Sequence, residues 1–222
     1  MKCGKNIANI LFDMDGVILN SMPYHVAAWK DAFQERGIDV DESIFYLYEG
    51  AIEPEVACEL FASSGAHLTT EDFFEIHSKQ KEYFLNKYAN KVKPFDKVEE
   101  LLTNLKERGI GTALVTSSHG DILEAVLPIY LRNMFDFVVT GDQVKRRKPH
   151  PDPYLIGIEG LGNGGPQKGV AVENAPAGIE SAKNAGLKCI AITTTLPKEH
   201  LKGADKVIED HQELFTTLGL KH

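Results

Sequence analysis

Two hydrophobic regimes alternate along the chain. Ile10-Leu11-Phe12 is a short apolar run that ends in Asp13-Met14-Asp15-Gly16-Val17, and a run this short, bounded by turn signals, reads as a buried strand. From about Asn20 to Asn90 the spacing turns helical. Tyr24, Ala27, Ala28, Trp29 and Phe33 predict one amphipathic helix ending near Gly37. Val56, Leu60 and Phe61 predict a second, ending near Gly65. Thr70-Glu71-Asp72-Phe73 opens a third, with Phe73, Phe74, Ile76, Phe84 and Leu85 on its apolar side.

From Pro94 onward strands and helices alternate. A helix near Asp96 to Arg108 turns Val98, Leu101, Leu102 and Leu105 inward and stops at Gly109. The strand 111–116 follows, then a helix near Asp121 to Leu127, the strand 137–140 and a helix over 153–161. Strand 169–173 precedes a helix at about 176–185 with Pro176 near its start and Gly186 after its end. Strands 189–193 and 206–208 close the series. Strands apolar on both faces and alternating with helices predict an α/β fold, a Rossmann-like, doubly wound parallel sheet. The predicted core is discontinuous, 1–19 and 91–222, with the α-helical segment 20–90 inserted as a cap domain. Asn20-Ser21-Met22-Pro23 and Lys91-Val92-Lys93-Pro94 border the insert. Each proline restricts its predecessor to extended backbone, and an insert placed directly after a site-bearing strand reads as a lid.

The 222 residues suffice for one core plus a smaller insert. A net charge of −8 argues against general nucleic-acid binding, although a local cation would still allow an anionic substrate. Cys3, Cys58 and Cys189 are odd in number and far apart, which reads as reduced thiols and neither a disulfide framework nor a zinc site. The apolar run 7–12 is broken by Asn9 and is too short for a signal peptide's apolar region. A cytoplasmic monomer with no membrane or nucleic-acid partner is the expectation.

Side chains two apart on a strand share a face, so Asp13 and Asp15 are expected together at the carboxyl end of a core strand, where open α/β sheets bind ligands. Paired carboxylates there need a positive partner, and oxygen donors of this type suit Mg²⁺. A calcium-binding EF-hand loop fits poorly, because Gly16 falls at the fourth position and the loop needs glycine at the sixth. Asp is also a nucleophile toward phosphorus. Other strand ends add Thr116-Ser117-Ser118, then Lys148 in Lys148-Pro149-His150-Pro151-Asp152, and Glu173-Asn174. Taken singly, these read as a capped helix start, a surface lysine within Arg146-Arg147-Lys148, and a plain strand end.

Together, Asp13-Met14-Asp15-Gly16-Val17, Thr116, Lys148 in KPHPDPYL and Glu173 in VENAPAGI resemble the haloacid dehalogenase superfamily of phosphotransferases, in its helical-cap branch. Within it the chain is similar to the β-phosphoglucomutase group and the small phosphatases and pyrophosphatases around it. The resemblance implies Asp13 as the nucleophile that takes the phosphoryl group. It implies Asp15 as the acid and base and as a Mg²⁺ ligand through its carbonyl, and Thr116 and Ser117 as holders of phosphoryl oxygens. Lys148 is then the cation beside Asp13, and Glu173 the Mg²⁺ anchor. Asn174 departs from the commoner second acid; its carbonyl oxygen can still ligate, with one charge fewer. Glu49, in Tyr48-Glu49-Gly50, is expected to restore that charge on cap closure, and His25 matches a hinge histidine of the branch. The cap loop Gly50-Ala51-Ile52-Glu53-Pro54-Glu55 is acidic where the mutase group carries an arginine for the far phosphate. Lys79 or Lys81 would have to compensate. The expectation is a Mg²⁺-dependent phosphatase of a small phosphorylated metabolite, a sugar phosphate or inorganic pyrophosphate. β-Phosphoglucomutase is the alternative. Dehalogenation is disfavoured, because Asp15 and Mg²⁺ serve phosphate chemistry. A non-catalytic phosphate binder is disfavoured because Asp13 and Lys148 are both retained.

Overall fold

Alternate residues of each strand feed opposite faces of one sheet. In the first strand, β1 (Asn9–Phe12), Ile10 and Phe12 join one apolar cluster and Leu11 the other. The same division recurs in β2 (Gly111–Val115), β4 (Gly169–Glu173) and β5 (Lys188–Ile192). These strands bury both faces, as a parallel sheet covered by helices requires. The computed structural model describes residues 7–51, 57, 61–62, 67–162 and 164–220.

With β3 (Phe137–Val139) and β6 (Lys206–Ile208), the strands form a six-stranded sheet in the order β3-β2-β1-β4-β5-β6, and every pairing is parallel. The chain runs outward from β1 to β3, then crosses back to β4 and runs the other way. β1 and β4 therefore flank the switch point, where a crevice opens at the carboxyl ends. One face is covered by α4 (Val98–Glu107), α5 (Gly120–Val126) and α9 (His211–Leu218), through Leu101, Leu105, Ile122, Leu214 and Phe215. The other is covered by α7 (Asp152–Leu161) and α8 (Pro176–Asn184), through Tyr154, Ile158, Ile179 and Ala182. A short helix, α6 (Ile129–Arg132), precedes β3.

The inserted segment holds α1 (Met22–Gln34), α2 (Ser43–Leu47) and α3 (Thr70–Tyr83). They share an aromatic cluster of their own, in which Trp29 stacks on Phe45 at 5.5 Å and Phe33 meets Phe61 at 4.6 Å. α3 starts where Thr69 and Asp72 close a reciprocal capping box. It runs on through a π-helical turn (Phe84–Tyr88) and a 3₁₀ turn (Ala89–Lys91). The two border segments meet: Asn20 N–H donates to Lys93 O, Phe95 N–H to Ile18 O, and Leu19 bridges Pro94.

The elements α2, α6 and α9 are additions to the sequence expectation. Most of the helix expected from Val56 through Leu60 to Gly65 lies outside the described residues, as do Cys3, Cys58 and residues 52–55 of the acidic loop, Glu53 included. Of that stretch, Ala57 and Phe61 are helical and buried. Among the described residues, no helix is long and apolar enough to cross a membrane.

Candidate active site

Asp13 continues the ladder of β1, its N–H donating to Val172 O at 3.0 Å. The chain then folds over itself: Ile18 and Leu19 N–H both return to Met14 O, and Gly16 N–H to Leu19 O. Gly16 makes the turn at φ +87°, where a side chain is strained, and a Cβ there would overlap Asn174. This turn brings Asp15, 7% exposed, back beside Asp13, 6% exposed, near the end of β4.

Lys148 arrives from the loop before α7. Its ammonium, 4% exposed, lies 2.6 Å from Asp13 Oδ1, 2.7 Å from Glu173 Oε1 and 3.1 Å from Val115 O. Tyr154 on α7 donates to the same Glu173 oxygen at 2.6 Å, and the Asn174 N–H donates to Glu173 Oε2 at 3.1 Å. Both Glu173 oxygens thus accept hydrogen bonds, and Oε1 is the second carboxylate partner of Lys148. Burial pushes Asp13 up to about 8, with Glu173 and Asp15 adding to the rise and Lys148 opposing it. On Lys148 burial favours the neutral amine, but Asp13 and Glu173 outweigh it and hold the ammonium charged.

Asp15 is held at both oxygens. Ser21 donates to Oδ1 at 2.6 Å, with His25 Nε2 at 3.3 Å; Ser118 donates to Oδ2 at 3.0 Å, with Thr116 Oγ1 at 3.4 Å. Burial alone would raise Asp15, but His25 and the hydroxyls prevail and hold it below the usual carboxylate range. His25 is fixed in turn by Phe84, whose ring stacks on it at 3.8 Å, and by Gln80, 3.5 Å from Nδ1.

From the cap, the Glu49 carboxylate meets Asn174 Nδ2 at 2.8 Å, and Thr195 Oγ1 lies 3.0 Å from the same nitrogen. Burial, with Asp13, Asp15 and Glu173 nearby, pushes Glu49 well above its ordinary range. Among the described residues, Asn174 Oδ1 and Ser117 Oγ are buried with no hydrogen-bond partner.

These orphaned atoms test the fit of a cation. Among the described residues no group of three His, Cys, Asp or Glu side chains forms a ready-made metal cluster. The oxygens available are of mixed type: the Asp13 carboxylate on the cavity wall and, behind it, the Asn174 amide oxygen, which has no hydrogen-bond partner among the described residues. Two carboxyl groups that burial drives toward neutrality, Asp13 and Glu49, lie alongside. A hard cation that accepts a neutral oxygen suits this set.

A cavity of about 360 Å³ opens over Asp13 and Asp15, bounded on the cap side by His25, Trp29, Glu49 and Lys81. Every candidate from the sequence is thus at or beside it: Asp13, Asp15, His25, Glu49, Ser117, Lys148 and Glu173 line it. Thr116 and Asn174 stand behind, through Asp15 and Glu49. Ser21, Tyr154 and Thr195 were missed, while Ser118 stood in the Thr116-Ser117-Ser118 run without its contact to Asp15. Tyr154 had a signal, since it stands in the first turn of the helix that follows Lys148. Ser21 had none beyond its place at the border of the insert.

The family described as haloacid dehalogenase-like hydrolase matches residues 10–192. Validoxylamine A 7'-phosphate phosphatase of Streptomyces hygroscopicus subsp. limoneus is 31% identical over 205 residues, covering 92% of this chain and 94% of that protein. The phosphorylated carbohydrates phosphatase of Thermotoga maritima is 32% identical and covers 82% of each chain. The crystal structure of β-phosphoglucomutase from Clostridium difficile superposes with a TM-score of 0.76 over 96% of this chain and 97% of that one; at 23% identity this likeness shows the shared fold.

Proposed function

Because the chain belongs to the haloacid dehalogenase-like hydrolases, and is a phosphohydrolase of that type, we propose that it is a Mg²⁺-dependent phosphatase of a small phosphorylated carbohydrate working through an aspartyl phosphate on Asp13. The observation that carries this reading is the buried Lys148–Asp13 contact of 2.6 Å at the switch point of the sheet. An isolated buried carboxylate is driven toward its neutral form, and Lys148 is the group that opposes this at the nucleophile. The two phosphatase relatives support the substrate class.

The chemistry divides among the residues. An Asp13 oxygen bonds to phosphorus while the phosphorus–ester oxygen bond breaks, and Asp15 passes to the departing oxygen the proton that it took from water in the preceding turnover. Asp15, now a carboxylate, takes a proton from water as that water's oxygen bonds to phosphorus, and the Asp13–phosphorus bond breaks to release phosphate. The hydrogen bonds from Ser21, His25 and Ser118 aim Asp15 and favour the carboxylate that this second half needs. Ser117 Oγ, unpartnered and on the cavity wall, is free to meet a phosphoryl oxygen. Asp13, Asp15 and Asn174 would hold Mg²⁺, with Glu49 beside them; when bound, the ion supplies positive charge against the carboxylates and the phosphoryl oxygens. The helical segment 20–90 acts as the cap that closes this site against water.

Glu49 supplies the charge that Asn174 lacks. Glu49→Gln should weaken Mg²⁺ binding about tenfold, measured by calorimetry with a phosphate analogue present; equal affinities would remove Glu49 from the metal site.

The test of function is phosphate release with Mg²⁺ from hexose and hexitol phosphates, β-glucose 1-phosphate, pyrophosphate and nucleotides, with Asp13→Asn as the blank. Release from a sugar phosphate that disappears in the blank is the expected result. Conversion of β-glucose 1-phosphate to glucose 6-phosphate without phosphate release would replace the phosphatase by the mutase.

A further inference from the structure

Arg147 and Lys148 are consecutive, yet their side chains diverge. Lys148 turns into the acids of the site. Arg147 lines the same cavity but donates to His119 Nε2, on the loop after β2. Among the described residues Arg147 has no carboxylate partner, whereas its neighbour Arg146 is held by both oxygens of Asp152. Two further basic groups of the cavity wall come from α3 of the cap, His77 and Lys81. Lys81 is held at 2.6 Å by Asp121 on α5, which ties the cap to the core. Lys79 pairs with Glu82 on the exposed side of α3 and does not line the cavity. His77 is kept below its usual range by burial and by the positive fields of Arg147, His119 and Lys81, so these groups share one neighbourhood.

A chain of net charge −8 therefore gathers basic side chains on one cavity wall, and the reacting phosphate does not account for them, since Lys148 already serves Asp13. The cavity, about 360 Å³, falls in the range of small-metabolite sites. We propose that Arg147, His119 and Lys81 form a second anion subsite, and that the substrate is a phosphorylated compound carrying a second negative group, a carboxylate or another phosphate, remote from the phosphate that is cleaved. This deepens, and rests on, the phosphatase reading above. A planar guanidinium with one edge on an imidazole keeps donors for a bidentate contact to either anion.

The test separates binding from turnover. Asp13→Asn, which cannot turn over, is titrated by calorimetry with Mg²⁺ and two matched pairs: fructose 1,6-bisphosphate against fructose 1-phosphate, and 6-phosphogluconate against sorbitol 6-phosphate. The doubly anionic member of at least one pair should bind about tenfold tighter, the order expected of one added charge-assisted contact; which pair responds tells phosphate from carboxylate. Adding Arg147→Gln should bring that ratio close to one. Adding Arg147→Lys should keep most of it, and Arg146→Gln should leave it in place. Equal affinities within both pairs, or a preference that survives Arg147→Gln, would overturn the subsite. If wild-type protein prefers the doubly anionic compounds but releases no phosphate from any of them, the phosphatase reading fails and the subsite stands.

Discussion

Replacing Lys148 by Met should abolish turnover and destabilise the metal-free protein by about 3–5 kcal/mol, the scale for leaving a buried charge without its partner. The ammonium is 4% exposed and touches two carboxylates that are themselves buried. Without it Glu173 and Asp13 lose the cation that joins them. The pH dependence follows from the sign of the Asp13 shift. A carboxyl raised from 3.8 to about 8 binds more protons folded than unfolded, so its contribution falls as pH rises from about 4 to about 8. Loss of Lys148 drives Asp13 higher still. The Asp13 part of the Lys148→Met deficit should therefore be small at about pH 6, where Asp13 is protonated with or without Lys148, and should grow above about pH 8, measured by urea unfolding from about pH 6 to about pH 10 in the presence of a chelator. A deficit independent of pH would show that Lys148 matters through the packing of its buried side chain and not through its charge.

Asp15→Asn should slow hydrolysis of an alkyl phosphate by about 10²–10⁴-fold, the range for losing a positioned acid and base. An amide in place of the carboxyl keeps the shape and can still accept from Ser21 or Ser118, so the fold should survive. It neither gives a proton to the leaving oxygen nor takes one from water. A phosphate ester of a strongly acidic phenol needs no proton on departure. Transfer to Asp13 from such an ester should therefore persist in the variant, while release of phosphate from the protein becomes slow. Equal losses in the first step for alkyl and acidic aryl esters would deny Asp15 the role of acid.

The strands were legible because each is short, apolar on both faces and closed by turn residues, and their parallel order followed from the helices between them. α9 was overlooked although its signals are present: Asp210 caps the Glu213 N–H, Leu214, Phe215 and Leu218 recur at helical spacing, and Gly219 stops it at φ +70°. α2 offered little, being five residues long with Phe45 alone buried. The contact of Asp13 with Lys148, 135 positions apart, carries no local signature; it became readable because the strand-end motifs occur in a set. Glu173 and Asn174 illustrate the limit. Their adjacency suggests one shared role, but it does not reveal their protein partners: Glu173, at the end of β4, meets Lys148 and Tyr154, and Asn174, just past it, meets Glu49 and Thr195. The basic wall was hidden for a related reason. Arg147 reads as one of a surface run, and Lys81 acquires meaning once α3 is laid across α5.

The central claim is a covalent phosphoryl group on Asp13. The direct measurement mixes Asp15→Asn with Mg²⁺ and an acidic aryl phosphate, quenches in acid within seconds, and maps phosphorylated peptides by mass spectrometry. The account predicts one added phosphoryl group on the peptide containing Asp13, removed by hydroxylamine and absent when Asp13→Asn is added. Stoichiometric release of the phenol with every peptide unmodified would contradict it, since water would then attack the substrate directly.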